Sequence, residues 1–359
     1  MKSFDLASTT GVDQEVLDTY VKAVMEFNTH PDSDPALIKL RQDVKHKIKQ
    51  LLNVEHDLCF TSGGTEANNL AIIGYAKQLN STKHFITSSY EHPSVLNSFK
   101  CLETLGHKVS YITPNKEGVI TAEMVKEYLQ DDTVLVSIMS VNNEIGSIND
   151  LVSISQVVKT HNPHTLMMSD CVQGITHIDI SVLNHLDLWT ISAHKLHGLK
   201  GCGLLGFKPN VVLHPILCGG HNENGLRPGT QDLAREIAFL KAIEKYVVNR
   251  QANLLAYLVE QLQLIPGINI NCPSTTHIIN ISVDSPMLAE SIKSYLYDQG
   301  YMTSTKSACA SMTDSRSLTL QALGLANEAI DHSIRISIDS LTTKESIDDF
   351  IKVLKNVIK

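Results

Sequence analysis

Residues 58–79 read LCFTSGGTEANNLAIIGYAKQL. An apolar run, LCF, gives way to a turn of small and polar residues from Thr61 to Glu66, then to a segment of helical spacing from Ala67 to Leu79. Strand, small-residue turn and helix in that order form the repeating unit of an open α/β sheet. The same alternation continues outward. HFITSS at 84–89, KVSYIT at 108–113, VLVSIM at 134–139, TLMMSD at 165–170 and LWTISA at 188–193 are apolar runs bounded by turn signals. Between them, Ser94–Leu105, Thr121–Gln130 and Ser153–His161 have helical spacing and length. Continuous apolar runs of this kind are strands covered on both faces, so the pattern predicts a doubly wound, mostly parallel sheet.

After about residue 245 the pattern changes. A long helical stretch, Ala242–Leu264, precedes HIINISV at 277–283, a second helical stretch from Leu288 to Gln299, a small-residue polar loop from Thr303 to Ser317, SIRISI at 333–338 and a final helix from Thr343. This predicts a large domain over residues 15–245 and a smaller α+β domain built from 1–14 and 246–359. At 359 residues and 43% hydrophobic content, the chain is long enough for two such cores. Its net charge of -8, with no basic stripe, argues against direct nucleic-acid binding. The N-terminal MKSFDLASTT has no leader pattern, and no stretch approaches the ~18 apolar residues that span a bilayer, so no membrane contact and a cytoplasmic location are expected. Seven cysteines without CxxC spacing argue against a disulfide framework and against a zinc site.

Ligands of open α/β sheets bind beyond the carboxyl ends of the strands, and five such ends carry unusual polar residues here. The Ser62-Gly63-Gly64-Thr65 turn offers backbone N–H groups and a helix N-terminus to an anion, although taken alone such a turn is more often an ordinary capped helix start. His92 in Tyr90-Glu91-His92-Pro93 and Asn143 in Val141-Asn142-Asn143-Glu144 end two further runs, and either reads equally as a loop residue. Asp170 ends the TLMM run, and a buried carboxylate needs a cationic partner. Lys195 follows LWTISAH, where burial would make it a candidate Schiff-base amine, or simply the ion-pair partner of Asp170. A phosphate-bearing pyridine aldehyde requires an amine, an acid and an anion site together, and these strand ends supply all three.

Read in order, FTSGGTEANNLAI, EHPSV, VNNEIG, SDCVQG, SAHKLHGLKGCG, GGHNENGLRPGT, SACAS and SIRIS run over nearly the whole chain. On these segments the chain resembles the cysteine desulfurases of the NifS/IscS type, within the class V aminotransferase family. The resemblance implies the type I fold of enzymes dependent on pyridoxal 5'-phosphate. It implies that Lys195 binds the cofactor covalently, that Asp170 pairs with the pyridine nitrogen and that Gln173 bonds the phenolic oxygen. His92 would stack on the ring and serve as acid/base. Gly64, Thr65, Ser192 and His194 would hold the phosphate, with Thr230 entering from the other subunit of a homodimer. Asn143 would bind cofactor or substrate, Arg335 would take the carboxylate of L-cysteine, and Asn28 would assist it. Cys309, in the small-residue stretch Thr303 to Ser311, would receive the sulfur as a persulfide and pass it to an acceptor protein, an iron–sulfur scaffold or a tRNA-thiolation enzyme. Cys171, beside Asp170, is the other cysteine whose position invites a role.

The chain departs from the family pattern at four places. Leu6 stands where the family has Asn, the segment Phe27 to Ser33 replaces Gly-Asn-Pro-Ser-Ser, His221 replaces a Gly, and Asp339-Ser340 replaces Gly-Arg. Three rival readings are compatible with the same segments: a selenocysteine lyase, another class V enzyme, or a catalytically weak scaffold homologue. A mobile thiol at Cys309 favours desulfuration, since transamination needs none.

Overall fold

The computed structural model describes residues 1–27, 33–248, 254–274, 276–305 and 316–358. Its strands in chain order are β1 (Lys2–Ser3), β2 (Asp57–Thr61), β3 (His84–Ser88), β4 (Lys108–Ile112), β5 (Thr133–Ser137), β6 (Leu166–Asp170), β7 (Leu188–Ser192), β8 (Gly203–Phe207), β9 (Ile268–Ile270), β10 (Ile278–Val283), β11 (Tyr301–Met302) and β12 (Ser333–Ser337). Seven of them form one sheet in the order β2-β8-β7-β6-β5-β3-β4. Only β8 is antiparallel to its neighbours; the remaining pairs are parallel. Each apolar run therefore exits at the same edge of the sheet, which brings the polar residues that follow those runs together.

Alternate side chains explain why these runs are continuous. Phe60, Ile86, Val136, Met167, Trp189 and Leu204 enter one apolar cluster, while Cys59, Phe85, Leu135, Met168, Leu188 and Leu205 enter another. With both faces covered, every second residue is as apolar as its neighbour. A third cluster, including Phe4, Leu258, Ile281, Ile336 and Phe350, packs around the three-stranded antiparallel sheet β12-β10-β9. Its last helix, Lys344–Leu354, starts at the Thr343 cap as its sequence predicts.

Three elements differ from the sequence expectation. The helix after β2 begins at Gly64, so the Gly-Thr-Glu read as turn already belongs to its first turn. The predicted helix Ala242–Leu264 is not one rod: the helix Leu233–Ile243 passes into a wide turn at Glu244–Val248, and a separate helix spans Leu255–Gln263. Both pieces carry apolar stripes, which read as one period in the sequence; residues 249–253 of that stretch lie outside the described residues. Strand β8, GLLGF, gave no strand signal because glycine is a poor strand former. Here the glycines are required by close approach: a Cβ on Gly206 would lie 2.1 Å from the Trp189 ring, and one on Gly203 would lie 2.5 Å from the Gly63 backbone.

Candidate active site

A cavity of about 220 Å³ opens at the carboxyl edge of the large sheet. Gly64, Thr65, His92, Asn143, Asp170, Gln173, Ser192, His194, Lys195 and Arg335 all line it. Thr230 does not; it is exposed on the loop after Pro228. Asn28 and Cys309 lie outside the described residues.

Asp170 closes β6 and is buried. Its carboxylate accepts hydrogen bonds from Asn68 Nδ2 at 2.8 Å and from the Val172 N–H at 2.9 Å. Asn68 is itself locked: it donates to Ser94 Oγ at 2.9 Å and accepts from Thr190 Oγ1 at 2.7 Å. Asp170 is thus held by amides, and Lys195 instead gives hydrogen bonds to the carbonyls of Ala7 and Ser8, the latter at 2.7 Å. The simple ion-pair reading of these two residues does not describe this arrangement.

The helix Gly64–Ala76 has no side-chain cap at its N-terminus, where its macrodipole and free N–H groups favour an anion. A Cβ on Gly64 would lie 2.9 Å from Val172 Cγ2, so a larger residue would crowd the cavity wall at this turn. Ser192 and His194, from the end of β7, share the lining. Burial pushes His194 down to about 4, assisted by Lys195 and Lys200, so its ring is neutral at ordinary pH.

His92 caps the helix Pro93–Thr104, with Nδ1 accepting from the Ser94 N–H at 3.2 Å. That bond assigns the neutral ring's proton to Nε2. Burial lowers its pKa, with Asp170 opposing and Lys195 reinforcing the shift. Gln173 Nε2 donates to the Ala7 carbonyl at 2.7 Å. Arg335, 1% exposed, spreads its guanidinium over the Asn143 carbonyl at 2.9 Å, Asp5 Oδ1 at 2.6 Å and Ser8 Oγ at 2.6 Å. Its Nε is buried without a partner among the described residues.

Cys171 is fully buried, and burial pushes its thiol up to about 12, which leaves it protonated at neutral pH. Ala7, Ser8, Asn68 and Ser94 also line the cavity and were not anticipated. Asn68 could have been found, since it lies one helical turn beyond Gly64. Nothing local to Ala7 and Ser8 marks them: they arrive because β1 pairs with β11 and Asp5 bridges Ser337.

Comparison with known proteins places this geometry. The model of the family "Aminotransferase class-V" matches residues 3–350. "Cysteine desulfurase IscS" of Dictyoglomus turgidum is 34% identical over 372 residues, which cover 99% of this chain and 94% of that protein. A solved "NIFS-LIKE PROTEIN" superposes with a TM-score of 0.89 at 29% identity, covering 99% of this chain and 98% of the other. A structure described as SspA in complex with cysteine gives 0.84 at 29% identity, covering 96% and 100%. The predicted fold class, a large mostly parallel sheet with a smaller α+β part, is the one these neighbours share. With matches of this length in both sequence and fold, the chain belongs to the class V aminotransferase family, among its IscS- and NifS-type cysteine desulfurases.

Proposed function

We propose that this protein removes sulfur from L-cysteine with pyridoxal 5'-phosphate held in the strand-edge cavity, and that Cys309 takes the sulfur as a persulfide. The observation that carries this reading is the meeting, in one cavity, of an uncapped helix N-terminus, a buried carboxylate and a lysine amine. These residues fit the cofactor. Gly64, Thr65, Ser192 and neutral His194 suit its phosphate, Asp170 suits a protonated ring nitrogen, Gln173 suits the phenolic oxygen, and Lys195 supplies the amine for covalent attachment. When bound, the cofactor supplies an electron sink for bond breaking at the amino acid's α-carbon.

The chain's own residues do the rest. Arg335, with Asn143 beside it and Asn28 assisting from its own segment, orients the substrate carboxylate by charge-assisted hydrogen bonding. Lys195 Nζ moves the α-proton. His92, its proton on Nε2, faces the cavity as the acid/base for the thiols and as the ring's stacking partner. The Cys309 thiolate attacks the substrate sulfur; an S–S bond forms, the C–S bond breaks with its electron pair left on the carbon side, and protonation there yields alanine. Burial of Cys171 supports Cys309 as the nucleophile, and a relative solved in complex with cysteine supports the substrate.

Thr230, exposed on the single chain, suits a role in a neighbouring subunit's phosphate site, which makes the working unit a homodimer. An iron–sulfur scaffold or a thiolation enzyme is the acceptor class. Among the described residues no helix is long and apolar enough to cross a membrane, and the proposed site of action is the cytoplasm.

The test is single-turnover chemistry. Lys195→Ala should abolish alanine formation. Cys309→Ala should still bind L-cysteine, seen as a change in the cofactor's absorbance, yet make neither alanine nor persulfide. A Cys309→Ala protein that makes alanine at the parental rate, or added sulfur mass on another cysteine, would overturn the assignment.

A further inference from the structure

The loop from Cys218 to Thr230 is exposed or half-buried over most of its length, yet Glu223 in its middle has a fully enclosed side chain. Its Oε1 accepts from Arg41 Nη2 at 2.6 Å, and its Oε2 accepts from Lys45 Nζ at 2.6 Å and from the Phe60 N–H at 3.1 Å. Arg41 and Lys45 stand one turn apart on the helix Pro35–Leu52, so both reach the loop from one helix face. Glu223 and Asn224 take left-handed backbone, with φ of 50° and 56°. Residues other than glycine avoid that region, and two in succession persist only where their surroundings fix them. The donors gathered on the Glu223 carboxylate are what fixes this turn.

The same loop is fastened to the Ser62–Thr65 turn at a second point. Arg227 Nε donates to Glu66 Oε1 at 3.0 Å, while Glu66 Oε2 accepts from the Ser62 N–H at 2.6 Å. Phe60 and Glu66 thus bracket the turn, and the loop is tied down on either side of it. Inside the loop, Asn222 Oδ1 accepts from the Gly229 N–H at 3.1 Å, which draws the neighbour of Thr230 back onto the neighbour of Glu223.

We infer that Glu223 is the positioning residue for Thr230: by holding the left-handed turn against Arg41, Lys45 and Phe60, it fixes the direction in which Thr230 is presented to the neighbouring subunit's phosphate. The inference rests on the proposed role of Thr230 in that site. Glu223 is not among the residues lining the active-site cavity and acts through the loop. The loop needs such an anchor, because Gly219, Gly220, Gly225 and Gly229 leave its backbone free to adopt many conformations. A loop ordered at folding has no conformational entropy left to lose when the phosphate arrives, so Thr230 binds it more tightly.

The test is a double-mutant cycle read with two ligands, on the full chain at a concentration where parent and variants are dimers. Glu223→Gln keeps the size of the side chain but turns an amide N–H group toward Arg41 or Lys45. It should raise the Kd for pyridoxal 5'-phosphate by about 2- to 10-fold, the effect of losing one hydrogen bond to the phosphate, and leave the Kd for pyridoxal, which has no phosphate, unchanged. In a Thr230→Ala background the same change should add nothing. Lys45→Met removes one donor and leaves the carboxylate the other two; it should give a smaller loss of the same kind, and it decides the matter if Glu223→Gln does not fold. Equal weakening toward both ligands, full additivity in the double variant, or an unchanged Kd for pyridoxal 5'-phosphate would overturn the inference. A Thr230→Ala protein that binds pyridoxal 5'-phosphate as the parent does would refute the shared-site reading, and the inference with it. A weakened Thr230→Ala beside an unaffected Glu223→Gln would overturn the positioning role alone.

Discussion

Glu91 lies one residue before His92 with both oxygens enclosed. Oε1 accepts from Ser88 Oγ at 2.6 Å and from the Met139 N–H at 2.9 Å, whereas Oε2 has no partner among the described residues. Burial pushes this carboxyl up to about 8 from its usual 4.5. A folded pKa above the unfolded one means that the native state holds the proton longer. Stability from this group is complete below about pH 4.5 and is lost as pH rises toward 8. Glu91→Gln keeps the acceptor and cannot ionise. Its melting temperature should gain on the parent's between pH 5 and pH 8 and then level off; a constant difference across thermal melts at these pH values would contradict the shift. His194 acts in the opposite sense, since its folded pKa of about 4 lies below its unfolded 6.5 and costs stability as pH falls through that window. Arg335 makes a different residue-scale demand. Its planar fork serves Asn143, Asp5 and Ser8 at once, which a lysine cannot do. Arg335→Lys should raise the KM for L-cysteine by an amount equivalent to about 1.5–3 kcal/mol, the worth of a charge-assisted bond. An unchanged KM in steady-state kinetics would confine the residue to a structural role.

Strand β8 shows how an element escapes local reading. GLLGF has two glycines in five residues, and neither period nor propensity marks it as strand. It forms because it fits between β2 and β7, hydrogen-bonded along its full length to both, with Leu204 and Leu205 entering the two cores. Gly206→Ala would drive a methyl into the Trp189 ring, which is itself fully buried and cannot retreat. Overpacking of this kind costs about 1–3 kcal/mol, so the denaturant midpoint should fall while the site chemistry persists in the folded fraction. A midpoint equal to the parent's would show that Trp189 has room to move. The strands with continuous apolar runs needed no such context, because double-sided burial writes itself into each run separately.

At the scale of the whole molecule, the proposed homodimer makes Thr230 and Lys195 complementary in trans. Thr230→Ala alone should bind the cofactor more weakly, and Lys195→Ala alone should be inactive. Coexpressed, the two variants should form mixed dimers in which one site has both residues intact, and about half of the parental activity per dimer should return. Independent sites on separate chains would show no such recovery. The sequence by itself determined the sheet and most of its carboxyl-edge residues: Gly64, His92, Asp170, Ser192 and Lys195 each follow an apolar run within a few positions, so burial and chemistry are both legible locally. The widening of the helix after Ile243, the strand β8 and the true start of the helix at Gly64 were decided by packing. So was the partner of Lys195. Ala7 accepts its hydrogen bond across 188 positions of chain, and Arg335 meets Asp5 across 330. A smaller cavity lined by Leu6, Lys195, His277 and Asp339 is likewise assembled from distant segments. Such contacts leave no period or spacing in the sequence, because what selects them is the closure of long loops around a common core, and only the folded chain brings their ends together.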